Sequence, residues 1–362
     1  MSEMILPDED FSRHGPSPLP LQLAAMMLRA GTDVARLRAA LEGIARWRAH
    51  PFRRPASSGE IIHRIGTSSL LDLGGDGPPV LLVPSLVNPA TILDLLPGNS
   101  LAQGLKAGGL HVFVLDWGRP GDDEWTFCLA DYIRRLSDFC AHVAQHEAEV
   151  PHLVGYCMGG TLAAALALHE PHRIGRLALL AAPWDFHAGD RRPGLLARAA
   201  LPLLPLIERL GFAPNDLVQS FFASLNPGEA LVKFAAFATR DPGSAAAELF
   251  VALEDWLNGG ADLPARVAIE VLRDWYGLNL PGTGSWSPFG TPLDPVCLAM
   301  PVFAAVPERD RIVPPESAIG LAAKPARLDL RRPSGGHVGM VVGRRAGAQL
   351  VTPLGNWLAA DA

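Results

Sequence analysis

The strongest constraint on the fold is a pentapeptide, Gly155-Tyr156-Cys157-Met158-Gly159, set between an apolar run ending in Leu153-Val154 and a small-residue segment from Gly160 to Leu168. This spacing predicts strand, sharp turn and helix in immediate succession, with the middle residue at the tip of a nucleophile elbow. Cysteine stands where serine is usual. The flanking glycines remove side chains that would clash in so tight a turn. The turn points one side chain out of the sheet and sets its sulfur near a helix N-terminus, which favours the thiolate. The competing reading is a buried cysteine in a Gly/Ala-rich crossover, since free cysteine is often a small core residue.

A nucleophile of this kind needs a base and a group to orient it, in the chain order nucleophile, acid, histidine. The run Met300 to Val306 reads as a buried strand and ends in Pro307-Glu308-Arg309-Asp310. An aspartate just past a strand's C-terminal end lies where open α/β sheets hold their ligands. A further strand, Ala326 to Leu330, leads to Ser334-Gly335-Gly336-His337. Of the 11 histidines, only His337 combines a position after a strand, flanking glycines and the right chain order. Cys157, Asp310 and His337 are therefore the candidate catalytic residues. An oxyanion needs amide donors. The backbone N–H of Met158, directly after the nucleophile, is one. The other is expected in the loop after strand Val80–Val83, at Val87 with Leu86 as runner-up.

Strand and helix patterns alternate from residue 59 to 186 and resume at 296–362, which argues for a mostly parallel sheet with helices on both faces. The fold class is α/β, an α/β-hydrolase fold. Between them, 187–295 carries helical patterns but no strand rhythm, and is expected to form a helical lid or cap insertion. Residues 1–58 form an N-terminal helical segment. The apolar stretch Leu195 to Leu206 suits buried core, a dimer surface or a surface that meets lipid-like material.

Charged residues make up 19% of the 362 and hydrophobic residues 49%, so the chain is globular and core-rich. A net charge of −6 gives no support to nucleic-acid binding. Cys128, Cys140, Cys157 and Cys297 show no metal-type spacing, so no metal is expected. The longest apolar stretch is short for a transmembrane segment and rich in glycine. The acidic start, Met1-Ser2-Glu3-Met4, does not read as a signal peptide, and reduced cytoplasmic thiols are the expectation.

Several ordered motifs across residues 78–360 resemble the polyhydroxyalkanoate synthases. They are Pro84-Ser85-Leu86-Val87-Asn88, Ile92 to Leu95, Asn99 to Leu101, Val112 to Gly118, Leu129 to Tyr132, the elbow with Gly160, Asp310 to Pro314, and Gly336-His337-Val338. Glu254-Asp255-Trp256-Leu257 looks like the lid of the shorter synthases, which pair with a second subunit. The resemblance implies an acyltransferase that polymerises (R)-3-hydroxyacyl-coenzyme A through an acyl-cysteine. The coenzyme A thioester is then the substrate, and no cofactor is needed. It further implies a polymer product or granule surface, a homodimer, a second synthase subunit as partner, and a cytoplasmic, granule-associated location. The alternatives are a thioesterase or polyester depolymerase on the same Cys-His-Asp site, and a non-enzymatic granule protein on a dead fold. Arg119, Arg191, Arg192 and Arg311 are candidates for the carrier's phosphates. Arg311 stands where the family has a histidine, Thr91 where it often has an aromatic residue, and Ile61 to Ile65 where a tyrosine-arginine-tyrosine pattern belongs.

Overall fold

Residues 13–322 and 324–360 are described by a computed structural model; the first twelve residues of the expected N-terminal segment lie outside it. Contacts divide the chain into two units, Gly59–Pro214 with Ala261–Ala362, and Met1–Ser58 with Asn215–Gly260.

The larger unit is built on eight strands: β1 (Glu60–Ile65), β2 (Ser68–Asp72), β3 (Pro79–Val83), β4 (His111–Asp116), β5 (His152–Tyr156), β6 (Leu177–Leu180), β7 (Val302–Ala305) and β8 (Leu328–Arg331). They lie in the order β1-β2-β4-β3-β5-β6-β7-β8. The β1–β2 and β2–β4 pairs are antiparallel and every later pair is parallel. β3, β6 and β7 are buried at every position, because helices cover both faces of a parallel sheet and leave no face for polar residues. β1 is part-exposed along its length, as an edge strand permits.

The helices follow from local signals. Ser100 caps Leu101–Ala107 by accepting from the Gln103 N–H at 2.9 Å. At the start of Leu129–Glu147, Asp131 reaches back to the Cys128 N–H at 2.8 Å. The elbow helix, Met158–His169, has ten buried residues of glycine, alanine, leucine, methionine and threonine, small enough on average for close approach to the sheet. Within the helical patterning expected over 187–295, the chain forms an α-helix, Ala265–Ile269, continued by a π-helical stretch, Glu270–Gly277.

The smaller unit packs Leu19–Ala30, Val34–Ala49, Asn215–Leu225, Glu229–Ala238 and Ala245–Asn258. Its core joins Ile44 and Trp47 to Phe234, Phe237 and Val251. A Cβ on Gly43 would lie 1.9 Å from the Phe234 carbonyl oxygen, so two helix backbones touch there. Arg13 is buried and forks onto Asp255 at 2.6 and 2.7 Å, and Trp47 Nε1 donates to the same carboxylate at 3.0 Å.

This division differs from the expected one. Residues 215–260 group with the N-terminal helices, whereas 187–214 and 261–295 group with the sheet. The physical reason is a short antiparallel pair, Phe212–Ala213 with Leu263–Pro264, which brings the ends of the 215–260 segment together and sets it off as a loop-out. The Leu195–Leu206 stretch also departs from a core role. Leu195, Leu203 and Leu206 are 62%, 38% and 55% exposed, while Ala197 is fully buried.

Candidate active site

The site is assembled at the C-terminal ends of β5 and β7 and in the loop after β8, all within the larger unit. At the elbow, Cys157 has φ 56° and ψ −130°, a conformation that L-residues rarely adopt. Three glycines make it possible by leaving room for close neighbours, backbone at Gly155 and Gly159 and the Ala182 side chain at Gly160. A Cβ on Gly155 would come 2.4 Å from Gly160 Cα, one on Gly159 2.3 Å from the Val83 carbonyl oxygen, and one on Gly160 2.5 Å from Ala182 Cβ. The turn is tied to the sheet by the Cys157 N–H, which donates to Leu180 O at 2.9 Å. The side chain packs against the apolar cluster Val306, Val313 and Ala318.

Asp310 follows β7 and is buried. Its Oδ1 accepts from the N–H groups of Ile312 and Val313 at 2.8 and 2.9 Å, which leaves Oδ2 to face His337 Nδ1 at 2.7 Å. The acid and histidine loops are also laced together: the Arg309 N–H donates to Gly335 O at 3.1 Å. His337 is buried, hydrogen-bonds Asp310 and lies close enough to Cys157 to feel its side chain. Burial pulls its proton affinity down. The Asp310 carboxylate, by charge and by hydrogen bond, and the nearby Cys157 outweigh that and hold the imidazole well above the usual histidine range.

The structure thus sets His337 on Asp310 and brings both beside Cys157. The Met158 N–H opens the elbow helix and has no carbonyl to bond within it. Val87 is different: its N–H donates to Ser85 Oγ at 3.2 Å, so the nominated second donor is engaged inside its own loop. Arg119, Arg191, Arg192 and Arg311 are exposed, and Arg192 is held by Asp190 at 2.7 Å.

Sequence reasoning missed three features. Tyr156 donates its hydroxyl to His337 O at 3.3 Å, with ring centroids 5.0 Å apart. A phenol at the end of an apolar strand was the available signal, because a buried tyrosine hydroxyl needs a partner. Tyr276, on the π-helical stretch, lines a small cavity with Pro183, Phe186, Ile312 and Val313. Asn279 clamps the wall of that cavity: it accepts from the Phe186 N–H at 2.8 Å and donates to Asp185 at 2.9 Å. Nothing in the sequence pairs Asn279 with residues more than ninety positions away. Among the described residues no cluster of His, Cys, Asp and Glu is arranged to hold a metal, and no helix is long and apolar enough to cross a membrane.

A family model described as alpha/beta hydrolase fold matches residues 78–343, and the chain belongs to that family. Within it, the kinship with polyhydroxyalkanoate synthases expected from the sequence is borne out. The chain is 29% identical over 295 residues to the poly(3-hydroxyalkanoate) polymerase subunit of Haloferax mediterranei, covering 78% of this chain and 58% of that one. It is 28% identical over 285 residues to the subunit of the same name from Haloarcula marismortui, covering 77% and 60%. The chain therefore spans about three-fifths of the length of these relatives. Among solved structures, the monoacylglycerol lipase of Paleococcus ferrophilus superposes with a TM-score of 0.52 at 16% identity, over 81% of this chain and 97% of that one, a likeness of fold.

Proposed function

We propose that this chain is an acyltransferase that joins (R)-3-hydroxyacyl units from coenzyme A thioesters into a polyester. The observation that carries the reading is a cysteine at the strained elbow, beside a buried histidine that Asp310 orients. The polymerase subunits among its relatives support the substrate class.

Cysteine suits this chemistry. Moving an acyl group from one thiol to another replaces a thioester by a thioester at little free-energy cost. The acyl-cysteine stays activated, and attack by a hydroxyl then makes a more stable oxoester. The Cys157 thiolate attacks the thioester carbonyl carbon, with the Met158 N–H facing the developing oxyanion. The bond to coenzyme A sulfur breaks, and the leaving thiolate takes the proton held on His337. In the second half, the 3-hydroxyl of another unit or of the growing chain gives its proton to His337 as its oxygen attacks the acyl-cysteine. The ester bond forms, the carbon–sulfur bond breaks, and the thiolate faces an imidazolium again. Asp310 fixes the tautomer and stabilises that imidazolium.

Product analysis tests the reading. Incubation with 3-hydroxybutyryl-coenzyme A is expected to give free coenzyme A and insoluble polyester. Free coenzyme A with only free hydroxy acid would make the chain a hydrolase on the same site.

A further inference from the structure

His337 is gripped at its ring by Asp310, and its main chain has a second anchor that comes from the nucleophile's own strand. Tyr156 is the last residue of β5, directly before Cys157, and is 1% exposed. Its hydroxyl donates to the His337 carbonyl at 3.3 Å and has no other hydrogen-bond partner among the described residues. Its ring lies 5.0 Å from the imidazole at a tilt of 37°. Burial, with the nearby Cys157 and Asp310 charges, pushes the phenol well above its usual range, so it stays a donor at any working pH.

We propose that Tyr156 is a positioning residue for His337: its hydroxyl and ring tie the histidine loop to the elbow strand and so hold the imidazole in register with Cys157. The inference rests on the reading of Cys157 and His337 as nucleophile and base. The loop needs such an anchor. Gly335, at φ 117°, and Gly336 precede the histidine and give its backbone wide freedom. The Arg309-to-Gly335 bond holds the loop two residues upstream, and Tyr156 holds it at His337 itself. At 3.3 Å the bond is long for O–H···O, but removing its donor strands a buried carbonyl, and the loop moves to find another partner.

The test is Tyr156→Phe, which keeps the ring and removes the hydroxyl. Thr161→Val is the comparator. It removes another buried hydroxyl-to-carbonyl bond, Thr161 Oγ1 to Pro183 O at 2.7 Å, without touching His337. Two readouts are taken: kcat and KM for coenzyme A release, and the pH profile of Cys157 alkylation by iodoacetamide, followed by mass spectrometry. Tyr156→Phe is expected to fold, to lower kcat roughly 5–10-fold with KM unchanged, and to move the alkylation profile to higher pH as the imidazolium is less well placed. Thr161→Val is expected to leave the profile where it is. A folded Tyr156→Phe protein with wild-type kcat and profile would overturn the proposal. So would equal shifts in both variants, or a Tyr156→Phe chain that does not fold, since each makes the hydroxyl structural only. Alkylation needs no acyl substrate. If wild type released no coenzyme A while Tyr156→Phe still shifted the profile, the polymerase reading would fail and this one would stand.

Discussion

Single residues decide the chemistry through what they leave out as much as through what they supply. The elbow depends on three positions without a side chain, and the nearest obstacles at Gly155 and Gly159 are backbone atoms that cannot swing aside. Asp310 supplies charge and geometry together, because two amides hold one oxygen and His337 takes the other. Asp310→Asn is expected to keep the fold and lower kcat by about 10²–10⁴, because a neutral amide neither stabilises the imidazolium nor fixes its tautomer. Coenzyme A release under substrate saturation checks this; a loss under twofold would remove Asp310 from the mechanism. The three residues proposed to carry the chemistry were legible as candidates because each follows a strand at a point marked by glycine, proline or charge. The Ile312 and Val313 amides that hold Asp310 were not, since a backbone donor carries no residue signature. Val87 shows the same limit, because the Ser85 hydroxyl two residues away claims its N–H.

At the scale of elements, β5 carries a built-in acid sensitivity. His152 opens the strand, and its Nδ1 is buried with no hydrogen-bond partner among the described residues. Burial, then the charge of Arg176, lowers its pKa from 6.5 to about 4. The folded value lies below the unfolded one, so the unfolded chain binds the extra proton. The stability this neutral histidine preserves is fully present above pH 6.5 and is lost as pH falls from 6.5 toward 4, by about 2–3 kcal/mol. His142, lowered by burial and by His63 and His146, acts with the same sign. Glu124 is held at about 2: burial alone raises it, but hydrogen bonds from Thr67, Arg135 and Gly121 win, so its share is lost only below about 4.5. Urea denaturation at pH 7 and pH 5 is expected to show the loss, and His152→Leu to flatten it. An unchanged slope in His152→Leu would contradict the assignment. The central strands β3, β6 and β7 were readable as unbroken apolar runs. The π-helical stretch was not, because its residues have ordinary helical patterning; Trp275 within it packs against Phe186 and Trp286.

The whole molecule is two contact units, and this level was the least legible. The sequence shows no strand rhythm over 187–295, but neither the short pair at 212–213 and 263–264 nor which of its helices complement the N-terminal ones. That is decided by shape: Gly43 lets two helix backbones meet, and Trp47, Phe234 and Phe237 fill the space beside them. Gly43→Val is expected to force those helices apart and to destabilise the smaller unit by roughly 3 kcal/mol or more, as overpacking against rigid backbone does. Thermal denaturation is expected to show an early transition in this variant, with Cys157 alkylation unchanged below it. A single unshifted transition would mean that the backbone contact at Gly43 is unimportant.

The central claim, that Cys157 carries the acyl group, has a direct measurement. The protein is mixed with 3-hydroxybutyryl-coenzyme A, quenched in acid within seconds, digested and read by mass spectrometry. A hydroxybutyryl adduct on the peptide containing Cys157, labile to hydroxylamine and absent from Cys157→Ala, is the expected result, with coenzyme A release lost in the same variant. Coenzyme A release that persists in Cys157→Ala, or an adduct on any other residue, would contradict it.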